Sequence, residues 1–230
     1  MFETAVRDGV LQVRAPETRW LLTGWNGGYT DSDAVYNITV PDGWDRTDLT
    51  RYTTDRRREA GFETGGPALL TGVDMAHAAG AECEGVRGIA TVGLSNPAAL
   101  PLEPGGAGPG EREQRPEPGT INVLVGTDRA LEDGALATLL ATVVEAKTAT
   151  IQSRTGFTGT TSDAVAVGTD PGGELDRFAG SATAVGDATR SVVRRAIHDS
   201  LDSRERPPPE SVEAADSGIV TNRDARPFDP

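Results

Sequence analysis

The chain has very little lysine, cysteine or histidine. Of its 22 basic residues only Lys147 is a lysine, and the others are arginines. The single Cys83 excludes a disulfide within the chain. With only His77 and His198 to add to it, a closed zinc site is not expected. We therefore expect no metal site and a reducing compartment, the cytoplasm.

Positive charge is scarce as well. The chain has 35 acidic residues and a net charge of −13, and a field of this sign repels nucleic acid and anionic membranes. We expect neither as a partner. An acidic surplus with arginine in place of lysine is typical of proteins from salt-loving organisms, in which the Debye length falls to roughly 3 Å at 1 M salt. Because we find no secretory pattern in the first residues and no long apolar run, we predict neither a signal peptide nor a membrane span.

Three segments have few residues that build a core. The segment 102–118 is rich in proline, glycine and charge and is predicted to be a flexible loop. The segment from about 203 to 230 is acidic and proline-rich, and we expect it to be a disordered tail. The segment 42–63 is polar and arginine-rich, and a partly ordered crossover is expected there. The ordered part is then one domain, 1–202.

Short apolar runs between turn residues predict strands, and longer periodic runs predict helices. Their mixed order indicates an α/β or α+β fold, a single mixed-sheet domain with packed helices. The predicted strands are 10–14, 20–23, 35–40, 86–93, 121–126 and 164–168, and the predicted helices are 67–79, 131–152 and 182–201.

Lys147 interrupts the apolar stripe of the predicted helix 131–152. An amine on a core face must pair with a carboxylate, reach the protein edge along its aliphatic stem, or lose its proton. A structural ion pair and a functional lysine both meet this condition. Glu145 falls almost opposite, with Thr138 and Thr142. At about 100° per residue, the apolar face holds Leu136, Leu139, Leu140, Val143, Val144, Lys147 and Ile151.

Four polar turns containing glycine lie beside predicted strands. Glycines of this kind let a ligand approach backbone N–H groups, while Asn, Thr and Asp supply donors and acceptors. Taken alone, each turn is better explained as an ordinary Asx or Ser/Thr turn, and none matches a phosphate-loop, dinucleotide or GxSxG motif. The turns are Asn26-Gly27-Gly28, TVGLSN at 91–96, GTIN at 119–122 and TGTTSD at 158–163.

A cysteine or histidine nucleophile system has little support. Cys83 lies in a charged AECEG stretch, and neither histidine follows a predicted strand. What remains is a hydroxyl, a lysine and a carboxylate, a combination in which a desolvated lysine can act as a base. The TGTTSD run could supply the hydroxyl or amides that bind an anion.

Taken together, six motifs resemble the adenosylcobinamide amidohydrolases of cobamide salvage. Their order and spacing agree over nearly all of residues 5–200. Each motif is short, but six in register are fairly specific. They are WNGGYTDSDAVYNITVP at 25–41, TVGLSN at 91–96, GTINVLV at 119–125, EAKTA at 145–149, TGTTSD at 158–163 and FAGSATAVG at 178–186.

The resemblance implies hydrolysis of the amide that joins the corrin ring to 1-aminopropan-2-ol, giving adenosylcobyric acid. The partner would be a corrinoid, and because cobalt belongs to the substrate, no cofactor of the protein's own is expected. Two alternatives remain: a corrinoid-binding protein without catalysis, and an amidase acting on another acylated metabolite.

The resemblance also implies roles for particular residues. Lys147 is expected to act as a base or to stabilise an oxyanion, and Asp163 to orient it or to activate water. Thr160 or Thr161 would be a nucleophile or a hydrogen-bond donor. Glu145 belongs to the same motif as Lys147, but the helical wheel ranks it lower. The residues expected to bind substrate are Asn26, Gly27, Gly28, Asn96, Thr120, Asn122 and Thr160.

Overall fold

A mixed sheet of eight strands forms the centre of the computed structural model, which describes residues 2–41, 43–44, 47–101 and 120–228. The strands in the described residues are β1 (Glu3–Arg7), β2 (Val10–Leu22), β3 (Gly28–Thr39), β4 (Ala68–Thr71), β5 (Ala79–Cys83), β6 (Val86–Val92), β7 (Pro97–Ala99), β8 (Ile121–Thr127), β9 (Ala130–Leu131), β10 (Gly159–Thr160), β11 (Ala164–Thr169), β12 (Leu175–Asp176) and β13 (Ile219–Val220). The helices are α1 (Leu49–Glu59), α2 (Asp133–Thr155) and α3 (Ala184–Asp202), with a 3₁₀ turn at Met75–His77. The predicted mixed α/β class is confirmed.

The strand order brings several strand ends to one edge of the sheet. The order is β4-β3-β2-β11-β8-β6-β5, and β1 pairs with β2. β8 and β11 run parallel and are joined through α2, while β2 and β6 run antiparallel to them. Consequently β8 and β11 begin where β2 and β6 end. We call this the site edge of the sheet.

The sheet folds over on itself. β2 shifts its register against β3 between Arg14 and Thr18, and Glu17 in this bulge has a φ of +54°. A bulge bends a strand and increases its twist. The result is that Asn37 on β3 donates and accepts hydrogen bonds across the interior with residues of β6 and β8, although β2 and β11 lie between β3 and β8 in the sheet order.

Alternation along the strands separates two apolar cores. Odd positions of β8, such as Val123 and Val125, pack with α2 and α3 in the larger core. Leu124 instead faces the inside of the folded sheet, with Trp20 and Leu22. Burial of such side chains is the main stabilising contribution, at roughly 25 cal/mol per Å² of apolar area. β8 is buried along its whole length because both of its faces are covered.

The helix predicted at 67–79 is wrong. This segment forms β4, the 3₁₀ turn and the start of β5. β4 pairs in parallel with the end of β3, and Asp74 caps the turn by accepting from the Ala76 N–H at 2.8 Å. Pairing with β3 and a cap after only four residues of strand outweigh the helical period.

The uncertain segment 42–63 contains α1. Asp48 caps it by accepting from the Arg51 N–H at 3.0 Å. At the other end Arg57, although charged, is buried and donates to three consecutive carbonyls, beginning with that of Phe62 at 2.9 Å. Tyr52 of α1, together with Ala60 and Phe62 just after it, packs against β3. Arg57 in this segment therefore contributes to the fold.

The α2 helix lies close to its predicted position, but its buried face is turned. Val144 is 37% exposed, whereas Thr142, predicted on the outer side, is 4% exposed. The reason is α3, which packs beside α2, and the loop before it, whose Ala179 carbonyl accepts from Thr142 Oγ1 at 3.2 Å. Contrary to the expectation of no such segment, α2 is long and apolar enough to span a membrane, yet half of its most apolar window is buried inside the protein. The core helices of globular domains meet the same criterion.

The two weakly ordered regions predicted elsewhere have different outcomes. The predicted loop 102–118 lies outside the described residues. Residues 203–228 form little regular structure. They nevertheless contact the domain, because β13 pairs with β7 and Val212 is buried in the larger core.

Candidate active site

Lys147 and Asp163 form a nearly buried ion pair at the site edge. Lys147 projects from α2, and Asp163 immediately precedes β11. The ammonium Nζ donates to Asp163 Oδ2, and the two side chains are 7% and 13% exposed. Breaking such a pair by removing one partner typically costs about 3–5 kcal/mol, because the other charge is left without its partner. Asp163 thus supplies the carboxylate partner that a lysine on a core face requires.

Asp163 is held rigidly by the turn before it. Its Oδ1 accepts from the Ile121 N–H at 3.1 Å, from the Thr160 N–H at 3.2 Å, and from the Thr160 hydroxyl. These contacts connect the start of β8, the end of β10 and the start of β11 through one carboxylate. Gly159 allows the approach, since a Cβ at this position would collide with both the Asp163 carboxylate and the Lys147 ammonium.

Asn96 and Thr161 form one wall beside this pair. Asn96 is 2% exposed, and its Nδ2 donates to Thr161 Oγ1 at 2.8 Å. The backbone carbonyl of Asn96 accepts from the Thr161 N–H at 3.2 Å. The Thr161 side chain itself is exposed. Thr120 adds a further link, because its hydroxyl donates to the Ser162 carbonyl at 2.6 Å. An exposed threonine therefore lies on this turn two positions before Asp163, with its hydroxyl oxygen bonded to Asn96.

Asn122 lies on the other face of β8. It has no exposed surface, and its amide donates to Asn37 Oδ1 at 2.8 Å and to the Leu70 carbonyl at 2.9 Å. Asn37 in turn donates to the Thr91 hydroxyl at 3.0 Å. Both amide hydrogens of Asn122 are engaged within the protein, so in this structure it joins β3, β4 and β8 and offers no surface to a substrate.

The turn at 24–28 projects from the site edge. Asn26 has a φ of +51° and Gly28 of +114°, and a Cβ at position 27 would lie 2.5 Å from the Leu22 carbonyl. These backbone conformations favour Asn and Gly, so the motif is explained by the turn itself. Trp25, which was not among the predicted site residues, lies in this turn and is 53% exposed. Its indole N–H donates to Thr50 Oγ1 at 3.4 Å.

Glu145 is not part of this arrangement. Its carboxylate lies 3.3 Å from Arg190 of α3, and its side chain is 58% exposed. The helical wheel placed Glu145 away from Lys147, and the structure agrees. The ion pair of Asp133 and Arg19 is also at the protein surface. The hydrogen bond from Arg19 lowers the pKa of Asp133 at the exposed start of α2.

The structure thus brings together most of the predicted site residues. Those that cluster at the site edge are Lys147, Asp163, Thr160, Thr161, Asn96 and Thr120, with Asn26, Gly27 and Gly28 on a neighbouring turn. Their chemical roles remain predictions. Sequence reasoning missed the backbone N–H of Ile121, the close approach at Gly159, and Asn37. A signal for Asn37 was available, since it is a polar residue inside the predicted strand 35–40. Within the residues that the structure describes, no group of three or more His, Cys, Asp or Glu side chains is arranged to hold a metal ion.

Comparison with known proteins connects this geometry to a family. The chain is 52% identical over 232 residues to the adenosylcobinamide amidohydrolase of Halobacterium salinarum, covering 100% of both chains. It is 28% identical over 192 residues to the protein of the same name from Methanosarcina mazei, covering 79% of this chain and 89% of that one. Among solved structures it is similar to the PH0078 protein from Pyrococcus horikoshii OT3, with a TM-score of 0.44 and 12% identity over 87% of this chain and 79% of the other, a likeness from which we draw nothing.

The family model adenosylcobinamide amidohydrolase (CbiZ) matches residues 2–208. This span contains the whole sheet, all three helices and every residue of the site edge described above. The resemblance that six short motifs indicated is confirmed over nearly the entire chain: the protein belongs to the adenosylcobinamide amidohydrolase family.

Proposed function

We propose that this protein hydrolyses the amide that joins the corrin ring of adenosylcobinamide to 1-aminopropan-2-ol, giving adenosylcobyric acid and the free amino alcohol. The observation that carries the proposal is the nearly buried pair of Lys147 and Asp163 at the site edge, with the exposed residue Thr161 on the turn before Asp163. Family membership and the shared name of a relative 52% identical support the substrate.

Amide hydrolysis needs a donor for the carbonyl oxygen. When water adds to the carbonyl carbon, the C=O π electrons move to oxygen and an oxyanion forms. As the positive member of an ion pair, Lys147 donates hydrogen bonds, and it gives one of its three N–H groups to Asp163. The others are suited to the oxyanion. Of the two roles first considered for Lys147, oxyanion stabilisation therefore fits this geometry better than removal of a proton.

Asp163 has a positioning role in this scheme. Its two oxygens already accept from Lys147, from Ile121 and twice from Thr160. A carboxylate with so many donors is poorly placed to take a proton from water, but it fixes the ammonium in one orientation. Pre-orientation of this kind is what makes such a donor effective, because no reorganisation is needed during the reaction.

Thr161 supplies the group nearest to solvent. Its Oγ1 accepts from Asn96, which leaves its hydroxyl hydrogen and one lone pair for the substrate or for an attacking water. Collapse of the tetrahedral intermediate breaks the C–N bond, and the leaving nitrogen takes up the two protons of the attacking water, so the products are a carboxylate and an ammonium group. Thr161→Val, which removes the hydroxyl at nearly constant volume, tests whether this group contributes to turnover. If Thr161 were instead the nucleophile, mixing with substrate would give a burst of amino alcohol before steady turnover.

Trp25 provides apolar surface for the macrocycle. Its neighbour Gly24 lies against Ala164, with 3.7 Å between the Cβ position at Gly24 and the Ala164 Cβ, and Ala164 follows Asp163 directly. Sites for small molecules are lined mainly by hydrophobic and aromatic side chains. The ring is held on a constrained turn, so it loses little conformational freedom when a ligand packs against it.

The cellular setting belongs to the same proposal. The surplus of acidic residues and the near absence of lysine support activity at high salt in the cytoplasm, with a corrinoid as the small-molecule partner and cobalt carried by that substrate.

The direct test uses purified full-length protein, adenosylcobinamide and a buffer of molar salt. Release of 1-aminopropan-2-ol and appearance of adenosylcobyric acid, followed by mass spectrometry, are the expected result. Corrinoid binding without release would instead identify a binding protein without catalysis. Absence of both binding and release would leave an amidase acting on another metabolite.

A further inference from the structure

The last part of the chain pairs with β7, the strand that follows Asn96. β13 pairs in parallel with β7, matching Ile219 with Ala98 and Val220 with Ala99. The Ser217 N–H donates to the Ser95 carbonyl at 3.2 Å, and the Thr221 N–H donates to the Ala99 carbonyl at 3.0 Å. We call residues 211–221 the C-terminal strap.

Two positions show that the strap is fitted to its place. Val212 is 4% exposed and belongs to the larger core. Gly218 has a φ of +148°, and a Cβ there would lie 2.6 Å from the Pro97 carbonyl oxygen. No side chain fits at this contact without moving one of the two backbones. Backbone pairing, burial and a glycine contact together distinguish the strap from a tail that merely rests on the surface.

The strap holds the segment on which Asn96 lies. Ser95 and Pro97, on either side of Asn96, contact Ser217 and Gly218 of the strap. On its opposite edge β7 pairs with β10, matching Pro97 with Thr160. Thus β7 connects the strap on one side with the turn that orients Asp163 on the other.

We propose that the C-terminal strap is a positioning element of the active site, which fixes Asn96 and, through β7, the turn that carries Thr160 and Thr161. The family model ends at residue 208, before the strap begins. The relative from Halobacterium salinarum, in contrast, is aligned over 100% of this chain, the strap included. The proposal rests on the proposed function in so far as it predicts an effect on turnover.

The test uses the full-length variant Gly218→Val, with Gly65→Val as the matched control because a Cβ at Gly65 meets nothing within 4 Å. We expect Gly218→Val to lower kcat per folded molecule by at least about tenfold, with a smaller change in KM. Hydrogen exchange should also accelerate at the Thr161 amide, which is bonded to Asn96, while the amides of α2 keep their protection. Gly65→Val should change none of these quantities.

A purely structural contribution would give a different pattern. It would lower the folded fraction and leave kcat per folded molecule and local exchange unchanged, and that outcome overturns the proposal. If Gly218→Val does not fold, Thr221→Pro removes a single donor to β7, and the same two readouts apply. The exchange measurement needs no substrate, so it tests the strap even if wild-type protein proves inactive on adenosylcobinamide, a result that would reject the proposed function alone.

Discussion

Two buried polar clusters lie on opposite faces of the sheet where β8 begins, and they differ in what they leave available. In the inner cluster, Asn37, Asn122 and Thr91 are neutral, have no exposed surface, and bond to one another. In the outer cluster, Lys147 and Asp163 are charged and adjoin the exposed Thr161. A neutral network of buried side chains specifies the fold, whereas a charged pair next to an exposed residue can also serve chemistry. The comparison indicates that burial of a polar residue does not by itself mark a catalytic site.

The largest effect is expected from Lys147→Met, which breaks the outer cluster. Release of amino alcohol should fall by at least about 100-fold, because the oxyanion loses its charged donor. Unfolding by urea should show a loss of roughly 3–5 kcal/mol, since Asp163 is left without its partner.

The double variant Lys147→Met with Asp163→Asn separates the two consequences. It should recover most of the stability, because no lone charge remains, but none of the activity. Recovery of activity in the double variant, or undiminished release in Lys147→Met, would contradict the assigned role.

The inner cluster should respond in the opposite way. Asn122→Leu leaves the Leu70 carbonyl and Asn37 without their donor, and the free energy of unfolding should fall by about 1–3 kcal/mol for each unsatisfied group. We expect kcat per folded molecule to stay within about twofold of wild type. A large loss of kcat without loss of stability would return Asn122 to the substrate-binding role first predicted for it.

Trp25→Ala is expected to affect binding more than chemistry. KM should rise on the order of tenfold, equivalent to about 1.4 kcal/mol of binding free energy, with little change in kcat. Trp25→Phe should restore part of the affinity, because a phenyl ring keeps most of the apolar surface. The control is Phe228→Ala, an exposed aromatic outside the family match, which should leave KM unchanged.

The smallest effect is expected from Glu145→Ala. Its pair with Arg190 is exposed, and such pairs contribute about 0–1 kcal/mol to stability. Steady-state release of amino alcohol should match wild type at any salt concentration. If activity instead fell as far as in Lys147→Met, the ranking of the two residues would be reversed.

Much of the outer cluster could be predicted from the sequence because its signals are local. Lys147 stands out as the single lysine within an apolar stripe, and Glu145 is separated from it by helical geometry alone. The TGTTSD motif predicts a turn rich in hydroxyl groups before a strand. The inner cluster was harder to find, because Asn122 and Asn37 lie 85 positions apart and meet only where the sheet folds over.

Two features of the fold that local sequence does not reveal depend on long-range contacts. The segment 67–79 has an acceptable helical pattern, yet β4 forms because the end of β3 offers it a pairing edge. Residues 203–228 lack the apolar content to fold alone, yet the strap is ordered against β7, which it could not select without the rest of the sheet.

By itself, the sequence determined the mixed α/β class, the position of α2 along the chain, the need of Lys147 for a partner, and the family. These properties depend on composition, on periodicity and on short motifs, all of which are local in the chain. Only the tertiary structure decided that Asp163 forms an ion pair with Lys147, that Asn122 faces away from that pair, and that the C-terminal strap pairs with β7 beside Asn96. Each of these depends on which strand ends share an edge and which face of a strand a side chain occupies, and neither is set until the sheet has formed.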